Sequence, residues 1–411
     1  MRPPIPTLVS SPLEAPPLQG DIAGAGEGRI VSSGEVTIAG HGQGNIAGGG
    51  GLIAGNERYS RQILFPGIGS GGQALLAQAH VAIVGVGATG AASSALLARA
   101  GVGTLTLIDR DFVEPSNLQR QILFDEADAL SSLPKAEAAR RKIQLFNSTT
   151  GVHPHVVDLV PGNIHHLLSP ADLILDATDN FETRYLLNDF AVQQGKPWIY
   201  AAAVGAYATT MNVLPRRPGE DLDDSSWQPT ACLACLFPKP PAGPVDTCDT
   251  AGILSTAVNL AASIQVTEAL KLLTGQAHLL RRTLLAFDLW NLTSSSGLDR
   301  SEISTSTPDP ACTVCGSRIF SHLSGEGRPH ITLCGRNSVQ IHERHRPLDL
   351  AAMQTRLSRH PDIDDLRSND LLLRFRRGSL TLTLFADGRA VVGGTTDITL
   401  ARTLYARFIG S

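Results

Sequence analysis

The sequence lacks a strong charge of either sign and lacks long apolar runs. Its 411 residues include 34 lysines and arginines and 38 aspartates and glutamates, which gives a formal net charge of −4. A balance this close to neutral favours neither a nucleic-acid partner nor a charged membrane surface. No apolar run reaches the roughly 18 residues of a transmembrane helix, and residues 1–20 lack the cationic start and apolar core of a signal peptide. We therefore expect a cytoplasmic protein without a membrane span.

Cysteine is also scarce, with six residues in the whole chain. Four of them form two C-x-x-C pairs that lie far apart in the sequence, at Cys232, Cys235, Cys312 and Cys315. This usage favours metal binding in a reducing compartment over disulfides. Four thiolates fill a tetrahedral zinc site completely, so we expect Zn²⁺ here to be structural. A redox-active C-x-x-C is the alternative interpretation.

The chain is longer than one average domain and is long enough to bury a full core. Residues 1–55 hold 13 of the 40 glycines and two proline pairs, a composition typical of a segment without a stable fold. Residues 56–318 are predicted to form one large domain. Residues 319–411 alternate strand and helix patterns, which predicts a small α+β domain whose role the sequence does not indicate.

The segment His80–Asp109 has the pattern of a nucleotide-binding βαβ unit. An apolar strand is followed by a helix predicted for Ala91–Ala100 and by a second strand, and the glycines have the spacing G-x-G-x-x-G at Gly85, Gly87 and Gly90. Asp109 ends the second strand at the distance where an acidic side chain contacts a ribose hydroxyl. The glycines alone fit NAD and FAD about equally well, and a purely structural copy of the motif could also carry them. They predict an α/β Rossmann-like fold with a mostly parallel sheet.

Polar residues beyond the second strand narrow the choice of nucleotide. They stand where a nucleotide's phosphates would lie, at Asp111, Asn117, Arg120 and Lys135. Dehydrogenases need no such cationic cluster, whereas a triphosphate attacked at its α-phosphorus does. Lys135 follows Pro134 at a predicted helix start, where a lysine is unfavourable unless an anion lies close by.

Further strands are predicted at residues 153–160 and 171–179, and two more within residues 196–216. A loop is predicted at Thr293–Thr307. Asp176 and Asp179 close the buried strand at 171–179, at the sheet edge where open α/β sheets bind ligands. For Asp179 a helix N-cap is the structural alternative, and Asp176 is expected to be structural.

Several motifs occur together in one order, and in this respect the chain resembles the ThiF/MoeB/HesA family, bacterial relatives of the ubiquitin-activating enzymes. The resemblance covers roughly residues 56–316, although Ala88-Thr89 stands where Gly-Leu is usual. The motifs are RYSRQILFPG at 58–67, GVGATG at 85–90, SNLQRQ at 116–121, the lysine after Pro134, DATDN at 176–180 and the two C-x-x-C pairs.

The resemblance implies an adenylating enzyme that uses ATP and Mg²⁺ to activate the C-terminal glycine of a small ubiquitin-like or sulfur-carrier protein. It assigns Asp179 to the nucleotide and its Mg²⁺. It also implies a homodimer in which Arg61 reaches into the partner's nucleotide site. Many family members carry a cysteine at the position of Cys248 that bonds covalently to the carrier, whereas others only adenylate.

Local chemistry leaves the role of Cys248 open. A helix start after it would favour the thiolate, whereas Asp246 and Asp249 would oppose it. The alternatives for the whole chain are an NAD-dependent oxidoreductase, a non-catalytic scaffold and an enzyme acting on another peptide carboxylate.

Overall fold

The computed structural model describes residues 55–217, 227–240, 248, 250–293, 297–324, 331–334, 338–341, 348–368, 372–386 and 388–409. All of them belong to one compact unit, Leu52–Ser411. Residues 1–54, which belong to the segment predicted to lack a stable fold, lie outside the described residues. Asp246 and Asp249 lie outside them as well. No helix in the described part is long and apolar enough to cross a membrane.

An eight-stranded sheet forms the centre of the large domain, in the order β3-β2-β1-β4-β5-β6-β7-β8. The first five strands in this order are parallel to their neighbours, and β6, β7 and β8 continue the sheet in antiparallel pairs. This arrangement confirms the predicted Rossmann-like fold. The strands are β1 His80–Val84, β2 Thr104–Ile108, β3 Gly151–His155, β4 Leu173–Asp176, β5 Trp198–Val204, β6 Tyr207–Val213, β7 Thr283–Thr293 and β8 Gly297–Ser304.

Helices cover both faces of this sheet, and two apolar clusters fill the space beneath them. The longest helix, α10, also carries Gln265, whose Nε2 donates to the carbonyls of Asp176 and Ile199 at 2.8 Å each. This fully buried amide ties α10 to the ends of two neighbouring strands. The helices are α1 Gly55–Arg58, α2 Ser60–Ile63, α3 Gly69–Gln78, α4 Ala88–Ala100, α5 Glu126–Leu130, α6 Lys135–Phe146, α7 Pro161–Leu168, α8 Phe181–Gln194, α9 Leu233–Leu236 and α10 Ser255–Leu273.

Three predictions of local structure in this domain were wrong. The strand predicted at 171–179 is β4, which ends at Asp176, so residues 177–179 are not part of it. Strand β3 ends at His155, so residues 156–160 are not a strand and lead instead into Pro161 at the start of α7. Part of the loop predicted at Thr293–Thr307 is strand β8, which pairs with β7 along the sheet edge. Residues 300–304 of β8 are exposed, and a strand that faces no core shows no apolar alternation in its sequence.

The C-terminal residues form a second sheet with its own core, in the order β11-β12-β13-β14-β10-β9. Two helices pack on it, α11 Leu350–Leu357 and α12 Ile398–Phe408, which gives the α+β architecture that the sequence predicted. The sequence did not predict β11. The strands are β9 Ile331–Cys334, β10 Ser338–Ile341, β11 Asp364–Ser368, β12 Leu372–Arg377, β13 Leu380–Phe385 and β14 Ala390–Gly393.

Candidate functional site

The glycine turn lies between β1 and α4, where the strand order reverses between β1 and β4. Gly85 has a φ of +86°, and a side chain at Gly90 would meet the Gly85 carbonyl oxygen at 1.8 Å. Helix α4 begins at Ala88, earlier than predicted, and Gly87 is its N-cap residue. The first peptide N–H groups of a 13-residue helix therefore point toward the carboxyl edge of the sheet.

Asp109 directly follows β2, beside this turn. Its Oδ2 accepts from the Val86 amide at 2.6 Å and its Oδ1 accepts from the Asp111 amide at 2.7 Å. Loss of hydration raises the pKa of Asp109, and the positive charge of Lys135 acts in the opposite direction. The carboxylate thus fixes the turn, while each oxygen keeps a second lone pair for a ribose hydroxyl.

Lys135 is buried at the first position of α6, with only 2% of its surface exposed. Its Nζ lies 3.3 Å from Asp111 Oδ2. A cation at the positive end of a helix is unfavourable, and the neighbouring carboxylate offsets that cost. The structure thus brings together Asp109, Asp111 and Lys135 beside the glycine turn, as the sequence analysis expected.

Asn117 and Arg120 lie further along the chain, between Asp111 and α5. Asn117 is fully buried, and its Oδ1 accepts from the Glu114 amide at 3.1 Å, so its visible contacts shape the loop. Arg120 donates through Nη1 to the Ser116 carbonyl at 2.9 Å. Its Nη2 lies 3.8 Å from the sulfur of Cys248.

The contact with Arg120 corrects the expected environment of Cys248. Among the described residues that follow Cys248, no helix begins before α10 at Ser255, and a helix dipole acts only over its first turn. The guanidinium of Arg120 supplies positive charge in its place, which favours a thiolate. The half-buried Cys248 therefore stands beside the same arginine that the sequence assigned to the phosphates.

Asp179 is exposed just beyond β4, and Gly85 packs against the neighbouring Ala177 carbonyl. The N-cap of α8 is Asn180, whose side chain accepts from the Thr183 amide at 2.8 Å, so the capping alternative for Asp179 is wrong. The exposed Asp179 carboxylate is therefore not used as the cap of α8.

Asp176 has the structural environment expected for it. The carboxylate is fully buried, and its Oδ2 lies 3.3 Å from Nε of Arg184. Burial raises the pKa of Asp176, while the charge of Arg184 lowers it. The sequence analysis missed Arg184; the signal was an arginine about one turn after DATDN, in the first turn of the following helix.

The four predicted metal ligands converge. Their sulfur atoms all lie within 4.8 Å of one another, with separations of 3.8 Å for Cys232–Cys235, 3.7 Å for Cys232–Cys312 and 3.3 Å for Cys235–Cys315. Zinc–sulfur bonds of about 2.3 Å in a tetrahedron place the sulfurs about 3.8 Å apart, so the cluster fits Zn²⁺.

The four thiols strongly affect one another's ionisation. Hydrogen bonds from the neighbouring thiols lower the pKa of Cys235 to about 2, and contacts with Cys235 and Cys315 raise the pKa of Cys232. Four such groups cannot all ionise unless a positive charge compensates them. The Asp309 amide adds a donor to the Cys235 sulfur at 3.4 Å.

Arg61 does not join the cluster of its own chain. It is exposed on α2, and the neighbouring Gln62 donates through Nε2 to the Ala100 carbonyl at 2.8 Å. Ala100 is the last residue of α4, whose first residue adjoins the glycine turn. A helix of 13 residues is about 20 Å long, so Arg61 lies at the far end of α4 from the nucleotide turn.

Comparison with known proteins gives one consistent result. The model of the ThiF family matches residues 59–314. The sulfur carrier protein ThiS adenylyltransferase of Bacillus subtilis is 43% identical over 356 residues, which cover 86% of this chain and 99% of that protein. The SAMP-activating enzyme E1 of Haloferax volcanii is 35% identical over 261 residues, covering 63% of this chain and 88% of that protein.

A solved structure gives the same fold. Escherichia coli MccB with ATP superposes with a TM-score of 0.51 at 24% identity, covering 64% of this chain and 75% of that one. The Bacillus match extends into the C-terminal sheet, because residues 1–318 alone would be less than 86% of the 411 residues.

Proposed function

Because the chain belongs to the ThiF family, we propose that it uses ATP to adenylate the C-terminal glycine carboxylate of a small sulfur-carrier protein with a ubiquitin-like fold. The observation that carries this proposal is the buried Lys135, held by Asp111 beside the glycine turn where the strand order reverses. The Bacillus relative is named for this activity and is matched over 99% of its length, which supports the same substrate class here.

Adenylation turns a poor acyl donor into a reactive one. The carrier carboxylate attacks the α-phosphorus of ATP, a carboxylate–phosphorus bond forms, and pyrophosphate leaves with the electrons of the broken P–O bond. Lys135 and Arg120 would offset the negative charge that develops on the phosphates, and Asp109 would hold the ribose. Most of the acceleration in such a reaction comes from alignment and charge stabilisation.

Two metal ions fit this scheme in different ways. Bound Mg²⁺ would supply positive charge to the phosphate oxygens, and Asp179 would hold it, because hard cations take carboxylate and phosphate oxygens. Bound Zn²⁺ would be held by all four cysteines of the cluster, with no open position, and would have a structural role.

The placement of Arg61 supports action across a homodimer. In its own chain α4 separates Arg61 from the glycine turn, so we infer that a partner subunit would bring its Arg61 to the phosphates. The adjoining Leu64 and Phe65 are 70% and 62% exposed, which is the kind of apolar surface that a subunit contact would cover.

Cys248 is proposed as the acceptor of a second step. Its sulfur would attack the acyl carbon of the adenylate, a C–S bond would form, the bond to AMP would break, and the thiol proton would pass to water. The product would be a thioester between enzyme and carrier. Arg120, at 3.8 Å, would favour the attacking thiolate.

Exchange of radiolabelled pyrophosphate into ATP, measured with a panel of purified carrier proteins, tests adenylation. We expect exchange only in the presence of the correct carrier, and we expect Lys135→Met to abolish it while the fold is retained. Lys142→Met is the matched control, because Lys142 lies on the same helix and pairs with Asp125 and Asp128. Wild-type exchange by Lys135→Met would show that the nucleotide site is assigned incorrectly.

A further inference from the structure

The C-terminal sheet contacts the large domain at the segment that carries Asp111, the residues 110–114. A closed ring of three hydrogen-bonding groups makes the first contact. Nη1 of Arg110 donates to Oε1 of Gln340 at 3.2 Å and lies 3.3 Å from Oδ2 of Asp158. Nε2 of Gln340 donates to the same Asp158 oxygen at 2.9 Å. Gln340 is on β10 and only 5% exposed, so both halves of its amide are used in this ring.

The second contact lies two residues further along the segment. The guanidinium carbon of Arg374, on β12, is 4.6 Å from the centre of the Phe112 ring. A cation over an aromatic face is attracted to it, and the attraction grows when water is excluded. Loss of hydration lowers the pKa of Arg374, and the negative charge of Glu114 acts in the opposite direction.

Asp111 lies between these two contacts. The backbone of residues 111–113 pairs with residues 133–135, at the start of α6. The Asp111 carbonyl accepts from the Lys135 amide at 2.9 Å, and the Val113 amide donates to the Leu133 carbonyl at 2.8 Å. Phe112 forms an antiparallel bridge with Pro134. The backbone of the segment therefore fixes the position from which Lys135 extends.

The side chains form a second connection between this segment and Lys135. Nε of Arg110 lies 3.9 Å from Asp111 Oδ1, and Asp111 Oδ2 lies 3.3 Å from Lys135 Nζ. Gln340, Arg110, Asp111 and Lys135 thus form a continuous series of polar contacts. It runs from the second sheet to the buried lysine of the nucleotide site.

We propose that the C-terminal sheet holds the nucleotide site in its ATP-binding arrangement, with Gln340 and Arg374 as positioning residues that fix segment 110–114 on both sides of Asp111. This inference rests on the proposed function of Lys135 and adds a role for residues 319–411. Neither residue touches the nucleotide turn; each acts through Arg110 or Phe112.

The test measures two independent properties of Gln340→Ala and Arg374→Ala in the full chain. In the exchange assay, the KM for ATP should rise roughly 2-fold to 30-fold, while the KM for the carrier and the maximal rate change little. In hydrogen–deuterium exchange, amides of residues 110–113 and Lys135 should exchange faster than in the wild type. Arg374→Lys, which keeps a cation over the ring, should restore part of the ATP affinity.

Arg376→Ala is the matched control, because Arg376 lies two residues further along the same strand and is exposed. Phe112→Leu removes the aromatic partner of the Arg374–Phe112 contact, on the side of the large domain. It should raise the KM for ATP as Arg374→Ala does, and the double variant should be no worse than either single variant.

Protection of β12 and β13 amides reports whether the second sheet stays folded in each variant. Unchanged protection of residues 110–113 in Gln340→Ala and Arg374→Ala, with that sheet intact, would overturn the inference. Additive effects of Phe112→Leu and Arg374→Ala on the KM would also overturn it. Were the wild type to show no pyrophosphate exchange, the proposed function would fail separately, and the amide protection of residues 110–113 would still decide the positioning role.

Discussion

At the scale of single residues, the contact between Arg120 and Cys248 connects the two proposed half-reactions. The guanidinium of Arg120, proposed to offset the charge of the phosphates, lies 3.8 Å from the thiol, so departure of pyrophosphate would leave it free to stabilise the sulfur anion. This order of events requires that adenylation does not depend on the cysteine.

Cys248→Ala should therefore retain pyrophosphate exchange. Wild-type enzyme incubated with ATP and carrier should show a conjugate on a non-reducing gel that disappears on addition of thiol, and the variant should show none. If the wild type forms no conjugate, or the variant forms it equally, Cys248 has no covalent role and adenylation alone remains.

Asp189 is a buried carboxylate whose charge opposes folding. Its Oδ2 accepts from the amides of His322 and Leu323, at 2.9 and 3.3 Å, yet loss of hydration raises the pKa of Asp189 to about 6. A carboxyl whose pKa is higher in the folded state than in the unfolded one binds its proton more tightly when folded. The stability that it contributes is complete below the ordinary value of 3.8 and is lost as the pH rises through about 6.

Asp189→Asn keeps an acceptor for both amides and cannot ionise. We expect the unfolding temperature of the wild type, relative to this variant, to fall as the pH rises from about 4 to about 6 and to change little above that. Asp172→Asn is the matched control, since the exposed Asp172 also accepts a backbone amide, from His80. Parallel pH profiles for wild type and Asp189→Asn would contradict the raised pKa.

At the scale of elements, the cysteine cluster joins two segments that are 80 residues apart along the chain. Cys232 and Cys312 are both buried in the same apolar core beneath the sheet, so the cluster fixes the segment after β8 against α8 and α9. A metal that binds only the folded arrangement contributes its binding free energy to folding.

Freshly purified protein should hold one zinc per chain by elemental analysis. Cys312→Ser should lose the metal and should lower the unfolding temperature by at least about 5 °C. Cys248→Ser, which alters a cysteine outside the cluster, should retain both properties. Absence of zinc from the freshly purified wild type would exclude the assignment.

The elements also show which features of the sequence carry structural information. The strand β1, the glycine turn and the end of α4 at Gly101 were predictable, because a buried parallel strand is apolar throughout and Gly101 has a φ of +87°, which favours glycine. The edge strands β3 and β8 were misplaced, because a strand with little buried surface has no apolar pattern to reveal it.

The candidate site likewise contains residues that the sequence could predict and contacts that it could not. Asp109, Asp111 and Lys135 were predictable because local motifs place them within one βαβ unit and its following helix. The contacts of Arg120 with Cys248 and of Gln340 with Arg110 span 128 and 230 residues, and no periodicity in the sequence reports them. The division of the chain after residues 55 and 318 remains a prediction.

At the scale of the whole molecule, the question is whether one chain contains a complete active site. Lys135 lies at the glycine turn, whereas Arg61 lies at the opposite end of α4 next to exposed Leu64 and Phe65. A dimer with two-fold symmetry would use this apolar surface twice and would place each Arg61 in the partner's site. Each complete site would then contain residues from both chains.

Mixing two inactive variants tests this arrangement directly. Arg61→Ala and Lys135→Met should each have little pyrophosphate exchange alone. In a random mixture half of the dimers contain one copy of each variant, and within such a dimer the Arg61→Ala chain has an intact Lys135 and receives Arg61 from its partner. One of its two sites is complete, so the mixture should recover about a quarter of wild-type exchange. If Arg61 acted within its own chain, neither site of the mixed dimer would be complete, and mixing would restore nothing.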